Sequence, residues 1–167
     1  MKTKFIFIIV LIFTFLLGIS AYSNQDNPYY SINIGGLILE QNYSHEQVVQ
    51  ILGTPDNFEH HVNDPEYEYY DVRIYKYNNN VFHFLNNKFL TFEINSPGLK
   101  LNGIVGVGDQ TNSISNLPNH KILTSVYSDA TFYEVFFRGY NYDVSPILFR
   151  IENGLIKKIA FTYQDNV

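Results

Sequence analysis

Behind Ser44, which can cap a first turn with Gln47 three residues on, the apolar residues Val48, Ile51 and Leu52 recur at i, i+3 and i+4. Gly53 and Pro55 then stop the run, so the pattern predicts a helix of about ten residues. A helix that short is marginal alone in water and must lie on apolar neighbours. From Phe58 to Ile94 the period shortens to two and the residues become Tyr, Phe, Val and Ile. That predicts strands over 57–62, 67–77, 80–85 and 88–95. The polar breaks Asn78-Asn79-Asn80 and Asn86-Asn87-Lys88 suit hairpin turns, because Asn tolerates a left-handed backbone, and strands so joined are antiparallel.

The same order then returns. Ile104 to Val107 is a short apolar segment, Thr111 a cap, Ile114 and Leu117 an apolar pair, and Pro118 a stop. Strands are predicted near 121–127, 130–138, 146–152 and 154–163, the last two joined at the hairpin signal Asn153-Gly154. The second helix is rich in Asn and Ser, which favour caps and turns over helix interiors, and is short. Ser44 aligns with Thr111 and Asn87 with Asn153 at nearly equal offsets, which reads as one unit present twice. The units are expected at 34–97 and 98–167, after a polar arm over 24–33.

Residues 1–23 have the layout of a secretory signal: Lys2 and Lys4, the apolar run Phe5 to Leu17, then small residues up to Ser23. That run is shorter than the about 20 residues needed to span a bilayer. Cleavage is expected, with no membrane span in what remains, and places the protein outside the cytoplasm, periplasmic or secreted. The chain of 167 residues carries a formal charge of −5, and loses Lys2 and Lys4 with the signal. An acidic chain has no obvious grip on a phosphate backbone, so nucleic acid is not an expected partner. Zero Cys removes disulfides, thiolate metal sites and cysteine nucleophiles together.

The stretch Ser44-His45-Glu46-Gln47-Val48-Val49-Gln50-Ile51-Leu52-Gly53-Thr54-Pro55 resembles the helix motif of the small outer-membrane lipoprotein of the barrel-assembly machinery. The same unit is similar to the repeats of the secreted β-lactamase inhibitor proteins. In both, a capped helix ending in Leu-Gly-x-Pro leads into an antiparallel meander, here Tyr70–Tyr77, Val81–Leu85 and Phe89–Ile94. The chain has no Cys to acylate, and two units in tandem look more like the inhibitor arrangement. The resemblance implies an α+β fold of two tandem helix and antiparallel-sheet units, with helices on one face of the sheet and a partner-binding surface on the other.

Parity then nominates the binding residues. On the strand at 67–77 the even set Tyr70, Val72 and Ile74 is expected to face the core. The odd set Tyr67, Tyr69, Asp71, Arg73, Tyr75 and Tyr77 then lies on the open face. On 131–138 the split puts Tyr133, Val135 and Phe137 on one side and Phe132, Glu134, Phe136 and Arg138 on the other. Aromatic residues and Arg are enriched at protein-binding hot spots, so Tyr67, Tyr69, Asp71, Arg73, Tyr75, Phe132, Phe136 and Arg138 are the candidate partner-binding set.

Other chemistry is sparse. The run Glu59 to Glu68 has the residue types of a metal site, but adjacent His60 and His61 point to opposite faces of a strand and do not converge. No Gly-x-Ser-x-Gly turn is present, His83 and His120 lack a carboxylate at a suggestive spacing, and Gly106-Val107-Gly108 falls short of a phosphate loop. The expectation is therefore an exported, non-enzymatic protein-binding module without metal or cofactor, able to inhibit an extracytoplasmic enzyme. The alternative is a component of cell-envelope assembly.

Overall fold

The computed structural model describes residues 32–68, 70–118, 120–127, 130–137 and 145–162. The expected signal at 1–23, most of the arm, Tyr69 and Arg138 lie outside them.

Strands β1 (Asn33–Ile34) and β2 (Leu37–Ile38) precede helix α1 (His45–Leu52). Four longer strands follow: β3 (Asn57–His61), β4 (Val72–Tyr77), β5 (Asn80–Leu85) and β6 (Lys88–Ile94). The order then recurs with β7 (Lys100–Leu101), β8 (Val105–Gly106), a 3-10 segment at Thr111–Asn116, and β9 (His120–Tyr127), β10 (Ala130–Phe137), β11 (Ile147–Glu152) and β12 (Leu155–Phe161). The short strands form a sheet in the order β2-β1-β7-β8, and the long ones a sheet in the order β3-β4-β5-β6-β12-β11-β10-β9. All pairings are antiparallel.

This overturns the α+β expectation. The described residues are 51% strand and 15% helical, arranged as two antiparallel sheets, and helices do not line a face of the large sheet. The composition of the second helical segment explains part of the difference. In Thr111–Asn116, Ser113 Oγ donates to the Gln110 carbonyl and Ser115 Oγ to the Asn112 carbonyl, both at 2.7 Å. Side chains that bond nearby backbone in this way favour turns over continued helix. Helix α1 is well capped, by Ser44 Oγ accepting from the Gln47 amide and Gln47 Oε1 accepting from the Ser44 amide, yet it buries only Val48.

One hydrophobic cluster serves both halves. Leu37, Leu101 and Val105 of the small sheet join Phe82, Phe92, Phe149 and Phe161 of the large one, with Val48 and Ile114 from the helical segments. Register fixes the inner face of the large sheet, because paired residues share a side. Phe58, Tyr75, Phe82, Phe92 and Phe161 form one transverse aromatic row over five strands. Asn turns close the hairpins as expected, with Asn78, Asn86, Asn87 and Asn153 all at positive φ.

The strand expected over 67–77 begins only at Val72. Pro65–Tyr67 is a 3-10 turn capped by Asp64, and Glu68 is left-handed at φ 52. Proline at the first position fixes φ for that turn, and its missing amide removes a ladder donor.

Candidate functional site

The outer face of the large sheet is defined by the register opposite to the aromatic row. Asn57, Lys76, Val81, Glu93, Ala160, Leu148, Glu134 and Leu123 are paired in sequence across all eight strands, one residue from each. Val81, Leu85, Phe132, Phe136 and Leu148 on this side are half-buried, and Leu123 is 38% exposed. Ion pairs lie between them: Lys76 with Glu59, Lys158 Nζ with Glu93 Oε2 at 2.7 Å, and Arg150 Nη2 with Glu152 Oε1 at 2.7 Å. Hydrogen bonding from Lys158 holds the Glu93 carboxyl below its ordinary value, as Lys76 does for Glu59. Near the centre, burial pushes the His83 imidazole below its usual value.

The candidate residues do not gather on this face. Phe132 and Phe136 stand on it with Glu134, opposite Val135 and Phe137, which are buried in the core. On β4 the assignment is inverted. Tyr75 is fully buried in the core, and Val72 and Ile74, expected inside, lie on the outer side in register with His61 and Glu59. Tyr67 leaves the strand and packs on the ring of His61, 4.4 Å between centroids. Asp71 stands just before β4, bridging His60 and Arg73. A partner-binding role for Tyr75 is therefore corrected: its ring is core.

Arg73 sits instead on the floor of a cleft of about 530 Å³, lined by Asn42, Tyr43, the first turn of α1, Phe58, His60 and Asn87. Its side chain is 16% exposed and its guanidinium reaches Asp71 Oδ2 at 3.4 Å, while Asp71 Oδ1 is 2.9 Å from His60 Nε2. His45 stacks between Phe58 and Tyr75, with its Nδ1 3.1 Å from the Tyr75 hydroxyl. Sequence reasoning named Arg73 and Asp71 but missed Phe58, His45 and His60 as their neighbours. The pairing of His60 with Arg73 depends on register across the 62–71 loop, which residue pattern does not specify.

His60 and His61 point to opposite sides, and no group of three metal-ligating side chains converges among the described residues. Nor is any helix there long and apolar enough to cross a membrane. No known family, curated protein or solved structure matches the chain.

Proposed function

We propose that this chain is an exported, non-enzymatic module that binds another protein through the outer face of its eight-stranded sheet, and that it can inhibit an extracytoplasmic enzyme in this way. The supporting observation is the eight-residue transverse row, in which the partly exposed Val81, Leu148 and Leu123 stand among two carboxylates, a lysine and an asparagine on one side of the sheet, around the buried Ala160. Its size is adequate. Seven strand spacings of about 4.8 Å and strands about 20 Å long give roughly 700 Å², close to the about 800 Å² per partner of a standard interface. Charges of both signs, already paired within the face, suit a mixed protein surface better than a uniform polyanion. The reading requires neither metal nor cofactor.

The test is capture from envelope extract by the exported chain, with crosslinks mapped on it. Leu123→Glu with Leu148→Glu should reduce capture at least about tenfold, a loss of about 1.4 kcal/mol. Ile51→Glu, on α1, should leave it unchanged. Equal capture by the folded double variant, or crosslinks confined to the opposite side, would reject the reading.

A further inference from the structure

The cleft over Arg73 lies on the inner side of the β3–β4 pair, beside the first turn of α1, and it plays no part in the outer-face reading. Arg73 faces His60 on β3 and Phe84 on β5 in register, so the ladder places its side chain on the inner side at the sheet's corner. The guanidinium has five N–H donors in a fixed fork. One reaches Asp71 Oδ2 at 3.4 Å, beyond the ordinary range for such a bond; the Tyr75 hydroxyl lies beside it, and the Glu46 carboxylate of the same cleft is close enough to feel its charge. Asp71 is meanwhile committed to His60 at 2.9 Å. Among the described residues most of the fork thus has no short acceptor, and with 16% of the side chain exposed the opening is toward the cleft.

The other walls decide what fits there. Phe58 is 37% exposed, and His45 packs on it at 4.6 Å between centroids, which gives an aromatic side. Asn42 and Asn87 supply amides. The first turn of α1 offers little, since Ser44 and Gln47 cap each other reciprocally, and Glu46 Oε2 already accepts from Ser44 Oγ at 2.7 Å. The acceptor sought by the cleft is therefore planar and anionic, small enough to sit over one guanidinium, with an apolar group beside it for Phe58.

We propose that this cleft binds a peptide carboxylate, either the side chain of an Asp or Glu or a free C-terminus, through the fork of Arg73, with a neighbouring apolar side chain packed on Phe58. A bidentate pair needs a ligand oxygen on each of two guanidinium nitrogens, for which Asp71, the Tyr75 hydroxyl and the nearby Glu46 carboxylate are the internal competitors.

Calorimetric titration of the full chain separates the sources with three short peptides. The first is blocked at both ends and carries Phe-Glu, the second is its Phe-Gln counterpart, and the third is blocked only at its N-terminus and ends in Phe with a free carboxylate. One or both carboxylate peptides should bind at least about tenfold more tightly than the Phe-Gln peptide. Whichever binds identifies the source. Arg73→Gln should erase the difference, and Arg73→Lys, which keeps the charge but not the fork, should lose most of it. Leu123→Glu with Leu148→Glu should leave it intact, so failure of the outer-face reading would not touch this one. Equal binding of all three peptides, no binding of any at millimolar concentration, or full binding by a folded Arg73→Gln chain would overturn the proposal. If Arg73→Gln does not fold, the peptide comparison on the unaltered chain still decides.

Discussion

Phe92 and Phe161 stand opposite each other on the strands where the two halves of the large sheet meet, their rings stacked 6.2 Å apart at 26°. Among the described residues three register pairs join β6 to β12, the other two being Ala160 with Glu93 and Ile159 with Ile94. Both phenylalanines are buried to within 1%. Phe161→Ala should cost about 3–5 kcal/mol through lost transfer energy and the cavity left behind. In a double-mutant cycle with Phe92→Ala the losses should be non-additive, because the rings touch. Urea unfolding followed by far-UV circular dichroism measures both, and additive losses would show that the seam does not depend on this contact.

Tyr75 gives a sharp contrast between core and surface. As a hot-spot residue on an open face, its truncation would leave stability unchanged. As a fully buried ring packed edge-on against Phe84 at 5.2 Å, Tyr75→Ala should cost about 3–5 kcal/mol. Tyr75→Phe removes only the hydroxyl facing His45 Nδ1 and should cost about 1 kcal/mol. Thermal melts of both variants distinguish the two placements directly.

Asn80 is the buried polar residue among those described, 4% exposed, and it ties the end of the first meander to the start of the connection. Its Oδ1 accepts from the Asn95 amide at 2.9 Å, the Ser96 amide at 3.0 Å and Ser96 Oγ at 3.1 Å. Asn80→Ala leaves two backbone donors without that acceptor and should cost roughly 2–4 kcal/mol. Asn80→Asp keeps the acceptor and should cost less. Hydrogen exchange at Asn95 and Ser96 provides the local readout, and the Ala variant should accelerate both amides.

Much of this was legible in the residues, but not the faces. The cap and stop around α1 and the Asn turns are local signals, and each lies where its chemistry placed it. The second helical segment failed as a helix because its Ser side chains bond the nearby backbone. The face of β4 was misread because both parities are apolar. Val72 and Ile74 are nearly as buried as Tyr75, so alternation carries no sign there. On β6 a register shift pairs Phe84 with Phe89 but Phe82 with Phe92, so an extra residue lets both phenylalanines reach the core at a spacing that period two would split. A matching shift between Arg150 and Ile151 occurs in the second half. The cleft over Arg73 was not visible at all, since it depends on which residue of β3 faces Arg73 across an irregular loop.

His83 makes the outer face sensitive to acid. It pairs with Ile74 and Thr91, with Lys76, Glu59 and Glu93 around it, and burial is the largest influence on its imidazole, followed by Glu93, which opposes the shift. The net direction is a folded value below the ordinary 6.5. Between the folded and unfolded values the unfolded chain binds more protons, so stability rises with pH in that window and is lost as pH falls below about 6.5. Glu59 and Glu93 act in the same sense but lower, from near 4.5 downward, because Lys76 and Lys158 depress them. The two effects therefore separate on the pH axis. Urea unfolding at about pH 7.5 and about pH 5.5 should show the unaltered chain less stable at the lower value. His83→Gln should flatten that difference while leaving the loss below about pH 4.5 in place. An unchanged slope between the two higher pH values in His83→Gln would show that another group titrates there.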